Sequence, residues 1–123
     1  MNYFELPEFA GIYLEDSYVL GITEESGVLE FSVDFVLTES HPRYRPPRPG
    51  EQNCYVTGAL TFEAGAKVEW IERTGQVYTD AAGEEDLGNI DYLLLEDGHW
   101  RAGGDWGEVV VHTDRPPRVT LDT

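Results

Sequence analysis

At 123 residues the chain has the length of one domain, spanning 1–123, and can bury roughly two-thirds of the surface its unfolded form exposes. Three Trp, seven Tyr and five Phe supply a core without a metal or a disulfide framework, and Cys54, the sole cysteine, has no partner within the chain. Twenty-four Asp and Glu against eight Lys and Arg give a formal charge of −16, which repels phosphate backbones and anionic bilayers and argues against nucleic acid and membrane partners.

Met1 to Pro7 has neither the basic n-region nor the apolar h-region of a secretory signal, and no window reaches the length of a membrane span. With the lone cysteine, this points to a cytoplasmic location.

A short strand is expected from Gly11 to Glu15 and a second from Ser17 to Thr23, where Tyr18, Leu20 and Ile22 alternate with polar neighbours. Glu24 to Gly27 reads as a hairpin connection into the clearest strand, Val28 to Leu37. There Leu29, Phe31, Val33, Phe35 and Leu37 share one face and Glu30, Ser32 and Asp34 the other.

The next ten residues, His41 to Gly50, are a proline-stiffened basic island. They hold three of the seven arginines and no Asp or Glu, whereas residues 1–40 carry nine carboxylates and no Lys or Arg. As plain structure, this is a surface loop whose prolines fix φ and whose arginines form salt bridges back to the acidic body. As function, it is a guanidinium site for an acidic ligand, or a rigid polyproline-type arm that docks a partner at low ordering cost.

Beyond the island, Cys54, Val56, Gly58, Leu60 and Phe62 line one face of a strand, and Gly58 marks a bulge or a close backbone approach. Ala64 to Ala66 turns into a strand over Lys67 to Arg73, and a short one follows over Gln76 to Thr79. Asp80 to Leu87 is the one local helix candidate, but Gly83 interrupts it, so an acidic loop with one helical turn is expected. Ile90 to Glu96 and His99 to Ala102 flank the hairpin signal Asp97-Gly98. Gly103 to Gly107 is a flexible corner that exposes Trp106, leading into Glu108 to Thr113. Arg115-Pro116-Pro117 ends that strand, and Arg118 to Leu121 forms an edge strand. Eight to ten short strands with regular turns predict an all-β fold, an antiparallel sandwich or flattened barrel, with the island packed across one end near the Gly-Asp-Trp-Gly corner.

No catalytic motif accompanies this pattern. No serine lies in a nucleophile elbow, and Cys54 sits in a predicted strand, away from any helix N-terminus that would depress its pKa. Among His41, Cys54, His99 and His112 no two lie within ten residues of each other, so no zinc spacing is present. The acidic loop lacks the ligand pattern of an EF-hand. No catalytic residue, metal ligand or cofactor is therefore assigned.

The string His41-Pro42-x-Tyr44-x-x-Pro47-x-Pro49-Gly50-Glu51-x-x-Cys54-Tyr55, then Gly88-Asn89-Ile90-Asp91 and Gly104-Asp105-Trp106-Gly107-Glu108-Val109, resembles a family of small bacterial proteins without an assigned activity. The resemblance runs from about residue 28 to the end. It implies that the island belongs to a recurring unit with Glu51, Cys54, Asp91 and Asp105.

Two functional expectations follow. The first is a non-catalytic interaction domain, an immunity-like inhibitor whose acidic surface neutralises a basic protein; the competing account of the acidity is salt adaptation or a GC-rich bacterial proteome. The second is a small-molecule-binding module or enzyme with a pocket near the island and Trp106. Across the two, the candidate ligand or partner residues are His41, Arg43, Tyr44, Arg45, Arg48, Glu51, Asp105 and Trp106. His41, Tyr44 and Cys54 are expected to anchor the loop, leaving the arginines as a working surface.

Overall fold

The computed structural model describes residues 1–75, 77–79 and 83–122. Apolar alternation builds its strands. β1 (Ile12–Glu25) and β2 (Val28–Leu37) form a long hairpin, with all five apolar residues of the β2 inner face buried. Ser26 and Gly27 both take positive φ, 54° and 74°, the conformation that matches a two-residue turn to the twist of its strands.

The two short strands expected before this turn are one strand with a bulge between Tyr13 and Tyr18. Ser17 bridges the interruption. Its fully buried Oγ donates to the Tyr13 carbonyl at 2.8 Å and accepts the Val36 N–H at 2.9 Å, so a side chain replaces the missing ladder bonds. Ser17→Ala strands the Val36 donor, and urea unfolding should show a loss of about 1–3 kcal/mol.

β3 (Cys54–Thr61) pairs with β2 in unbroken register, and β10 (Arg118–Leu121) pairs with the other side of β3. Gly58 is therefore a close approach and not a bulge, since a Cβ there would stand 2.2 Å from the Thr120 carbonyl oxygen. This sheet has the order β1-β2-β3-β10.

After Phe62 the chain crosses to a second sheet. β4 (Lys67–Arg73) lies beside β9 (Gly107–His112), followed by β8 (His99–Gly104) and β7 (Ile90–Glu96), in the order β4-β9-β8-β7. Asp97 and Gly98 form the predicted β7–β8 hairpin, again with positive φ at both positions. The two antiparallel sheets pack face to face without closing into a barrel. Between them lies one core, in which Trp106 meets Phe31 edge-on at 4.9 Å and Trp70 at 6.0 Å. Among the described residues no helix is long and apolar enough to cross a membrane.

The expected helical turn is replaced by a strand pair. β5 (Tyr78–Thr79) bonds to β6 (Glu85–Asp86), while Gln76 and residues 80–82 of the predicted strand and acidic loop lie outside the described residues. The following residues are captured by β1: Leu87 N–H donates to the Val19 carbonyl and Val19 N–H to the Gly88 carbonyl, both at 2.8 Å. Extended pairing with an existing strand outweighs a short helix interrupted by glycine. At the N-terminus two unpredicted 3-10 turns, Tyr3–Glu5 and Pro7–Phe9, drive Tyr3, Leu6 and Phe9 into the core. Three-residue turns are too short to show a hydrophobic period.

Candidate functional site

The island begins in consecutive turns, with His41 N–H bonded to the Thr38 carbonyl and Tyr44 N–H to the His41 carbonyl. Residues 44–48 carry no regular secondary structure. Tyr44 packs half-buried against the core and Cys54 lies within it, so both secure the loop. The His41 Nδ1 accepts the Arg43 N–H at 3.0 Å, and partial burial together with the Arg43 charge lowers the imidazole pKa.

The arginines do not return to carboxylates. Arg43 donates to the Asp122 carbonyl at 2.6 Å and Arg45 to the Tyr55 carbonyl at 3.0 Å. Arg48 is exposed, and among the described residues it has no side-chain partner. No ion pair joins any of the three to an Asp or Glu among the described residues, contrary to the expected salt bridges. Main-chain carbonyls of Tyr55, within β3, and of Asp122, just past β10, satisfy two of them instead. Arg43 and Arg45 thus tie the loop to the strands.

Asp105 and Trp106 lie elsewhere. They form the two-residue turn between β8 and β9, and no hydrogen bond, ion pair or ring contact links them to residues 41–51 among the described residues. Asp105 is exposed and its Oδ2 accepts the Asn89 N–H at 3.1 Å. Trp106 is only 1% exposed, with its indole N–H on the Asn89 carbonyl at 3.0 Å. Its glycine neighbours were expected to expose it and instead bury it. A Cβ on Gly104 would stand 2.0 Å from the Asn89 oxygen and 2.8 Å from the indole nitrogen, so only glycine admits this contact. The indole itself is enclosed, and a hollow of about 270 Å³ at this corner is lined by Asp91, Tyr92, Asp105 and Glu108 among others, with no residue of the island.

The two loops that stand out in the sequence meet at a different place. The last turn of the island, closed by the Glu51 N–H on the Arg48 carbonyl, and the β5–β6 pair flank a cleft of about 450 Å³ over the outer face of the first sheet. The register of that sheet builds the floor: Tyr18 of β1 pairs with Asp34 of β2, Asp34 with Thr57 of β3, and Tyr55 sits two residues before Thr57. The Tyr18 and Tyr55 rings lie 5.9 Å apart at 32°, with Leu20 and Tyr78 also lining the hollow.

Carboxylates supply its charge. Asp34 is on the floor, Glu51 on the island side, and Glu84, Glu85 and Asp86 on the opposite side; none of the lining residues is Lys or Arg. The Glu51 Oε1 is shielded from solvent and has no hydrogen-bond partner among the described residues. Burial raises the Asp34 pKa, against a weak bond from Thr57 Oγ1 that lowers it, and the Glu51 and Glu84 charges raise it further. Tyr18 is raised by Tyr55 beside it, by burial and by the Asp86 and Asp16 charges.

A folded-state pKa above the unfolded value means that Asp34 supports folding while protonated, and that this support is lost as pH rises through its folded pKa. Asp34→Asn should therefore raise the thermal midpoint at pH 7. The gain should vanish below the unfolded aspartate pKa of about 3.9, as scanning calorimetry across pH would show.

Of the residues picked from sequence, this cleft uses Glu51. Tyr55 stands in the string His41 to Tyr55, but Tyr18, Asp34, Tyr78 and Glu85 were not singled out, because their convergence depends on strand register and on the fold around Tyr78 and Glu85. Outward-facing tyrosines on consecutive strands were the only available signal. A larger hollow of about 600 Å³ lies where Glu63, Arg115 and Arg118 gather, but it carries both signs of charge and holds the Arg115–Glu63 ion pair at 3.2 Å. The β8–β9 pairing also brings the His99 and His112 rings to 5.6 Å, with Glu69 on His112 at 2.9 Å. Among the described residues no three His, Cys, Asp or Glu side chains gather into a group able to hold a metal.

No family model matches the chain, and neither curated proteins nor solved structures include a significant match.

Proposed function

We propose that this protein is a non-catalytic interaction domain that receives a basic partner protein in the cleft between the island and the β5–β6 pair, acting as an immunity-like inhibitor. The observation that carries the reading is the cleft itself: five carboxylates and three tyrosines line one concave surface from which Lys and Arg are absent. Electrostatic complementarity of this kind speeds association and selects the partner's sign of charge.

Calorimetric titration with a short arginine- and lysine-containing peptide at low salt tests the proposal. The triple variant Asp34→Asn, Glu51→Gln, Glu85→Gln should weaken binding about tenfold or more. Removing three exposed acids outside the cleft, Glu25→Gln, Glu39→Gln, Asp114→Asn, should change it little. Equal losses from both triples would mean diffuse attraction to net charge and would sink the reading.

A further inference from the structure

Resting on that interaction reading, we infer that the cleft is built to take an arginine side chain of the partner in preference to a lysine. Two features of the hollow argue for a planar, weakly hydrated cation.

The first is its aromatic floor. Tyr18 and Tyr55 present neighbouring rings at 5.9 Å and 32°, while Tyr78 and Leu20 remain 38% and 42% exposed along the same hollow. An ammonium gives up its hydration shell reluctantly and makes point contacts. A guanidinium plane lies flat on aromatic faces and covers apolar surface as it binds.

The second is the distribution of acceptors. Asp34 rises from the floor, Glu51 stands on one side and Glu85 and Asp86 on the other. A rigid fork of five N–H donors can serve carboxylates on more than one side while its plane stays on the rings. A volume of about 450 Å³ lies within the range of specific ligand pockets, ample for a side chain and the backbone that carries it.

The probes are two blocked pentapeptides of equal charge, acetyl-Gly-Arg-Gly-Arg-Gly-amide and its lysine counterpart, titrated into the whole protein by calorimetry. The arginine peptide should bind about tenfold more tightly, the scale of a partly desolvated cation–aromatic contact. Tyr18→Leu should bring the arginine peptide down to the lysine value and leave the lysine peptide unchanged. Tyr78→Leu, at a more exposed position, should reduce the preference in the same direction without perturbing the fold. Equal affinities, both lost in the acid triple variant, would overturn the arginine inference and leave the interaction reading standing. Binding of neither peptide, or equal losses in the two triple variants, would overturn both.

Discussion

Replacing Trp106 with alanine should destabilise the protein by about 3–5 kcal/mol, the cost of deleting a large aromatic from a closed core. The indole is only 1% exposed and lies edge-on against both Phe31 and Trp70, so it joins β2 of one sheet to β4 of the other through a single side chain. The substitution opens a cavity among groups that belong to both sheets. It also leaves the Asn89 carbonyl without its 3.0 Å donor. Against a total stability of about 5–15 kcal/mol, a loss of this size is a large share of the whole. Urea unfolding followed by tryptophan fluorescence measures it, with Trp70 and Trp100 remaining as reporters. A loss below about 1 kcal/mol would mean that Trp106 does not hold the sheets together.

Gly107→Ala should cost about 2–6 kcal/mol, since two penalties act at once. Gly107 has φ of 127°, outside the conformations that residues with a Cβ readily adopt. A Cβ built there would also stand 2.2 Å from the Glu72 carbonyl oxygen and 2.9 Å from the Arg73 Cα, both backbone atoms of β4. These cannot rotate away as a flexible side chain could. Relief therefore requires β4 to move away from β9, at the Arg73–Gly107 end of their pairing. Thermal melts should show a lower midpoint, and amide exchange should rise first in β4. An unchanged midpoint would show that the corner tolerates a side chain.

The two substitutions also show how the corner was legible in part. Its residues, Gly103 to Gly107, stand out as a glycine-flanked tryptophan, and sequence reasoning took the glycines as freedom for the indole to reach solvent. They serve the opposite purpose, since the missing Cβ atoms let Asn89 and β4 approach closely enough to enclose the ring. Glycine signals close approach or flexibility equally well in a sequence, and only the neighbouring chain decides between them.

The island divides in the same way. Its stiffness and its place between β2 and β3 were legible from prolines and from the apolar alternation on either side, and of the three expected anchors, His41, Tyr44 and Cys54, the last two pack on the core. The partners of its arginines were not legible, because the Asp122 carbonyl becomes a neighbour of the loop only after β10 adds to β3, and the Tyr55 carbonyl only once the loop folds back on β3. The same holds for the cleft. Asp34 looks like one solvated acid among 24 and Glu51 like a part of the island's string, and the two become a shared site when Tyr18, Tyr55 and the β5–β6 pair close around them.

Most of the longer strands, a tight connection ending at Ser26-Gly27, the Asp97-Gly98 turn and an inward face for β2 were legible in the sequence alone, because side-chain alternation and positive-φ turn residues act over a few neighbouring positions. The assignment of strands to two sheets, the burial of Trp106, the extended pairing of Glu85 and Asp86 and the acidic, tyrosine-floored cleft were decided only by the tertiary structure. Each of these depends on contacts between residues far apart in the chain, whose register no local pattern encodes.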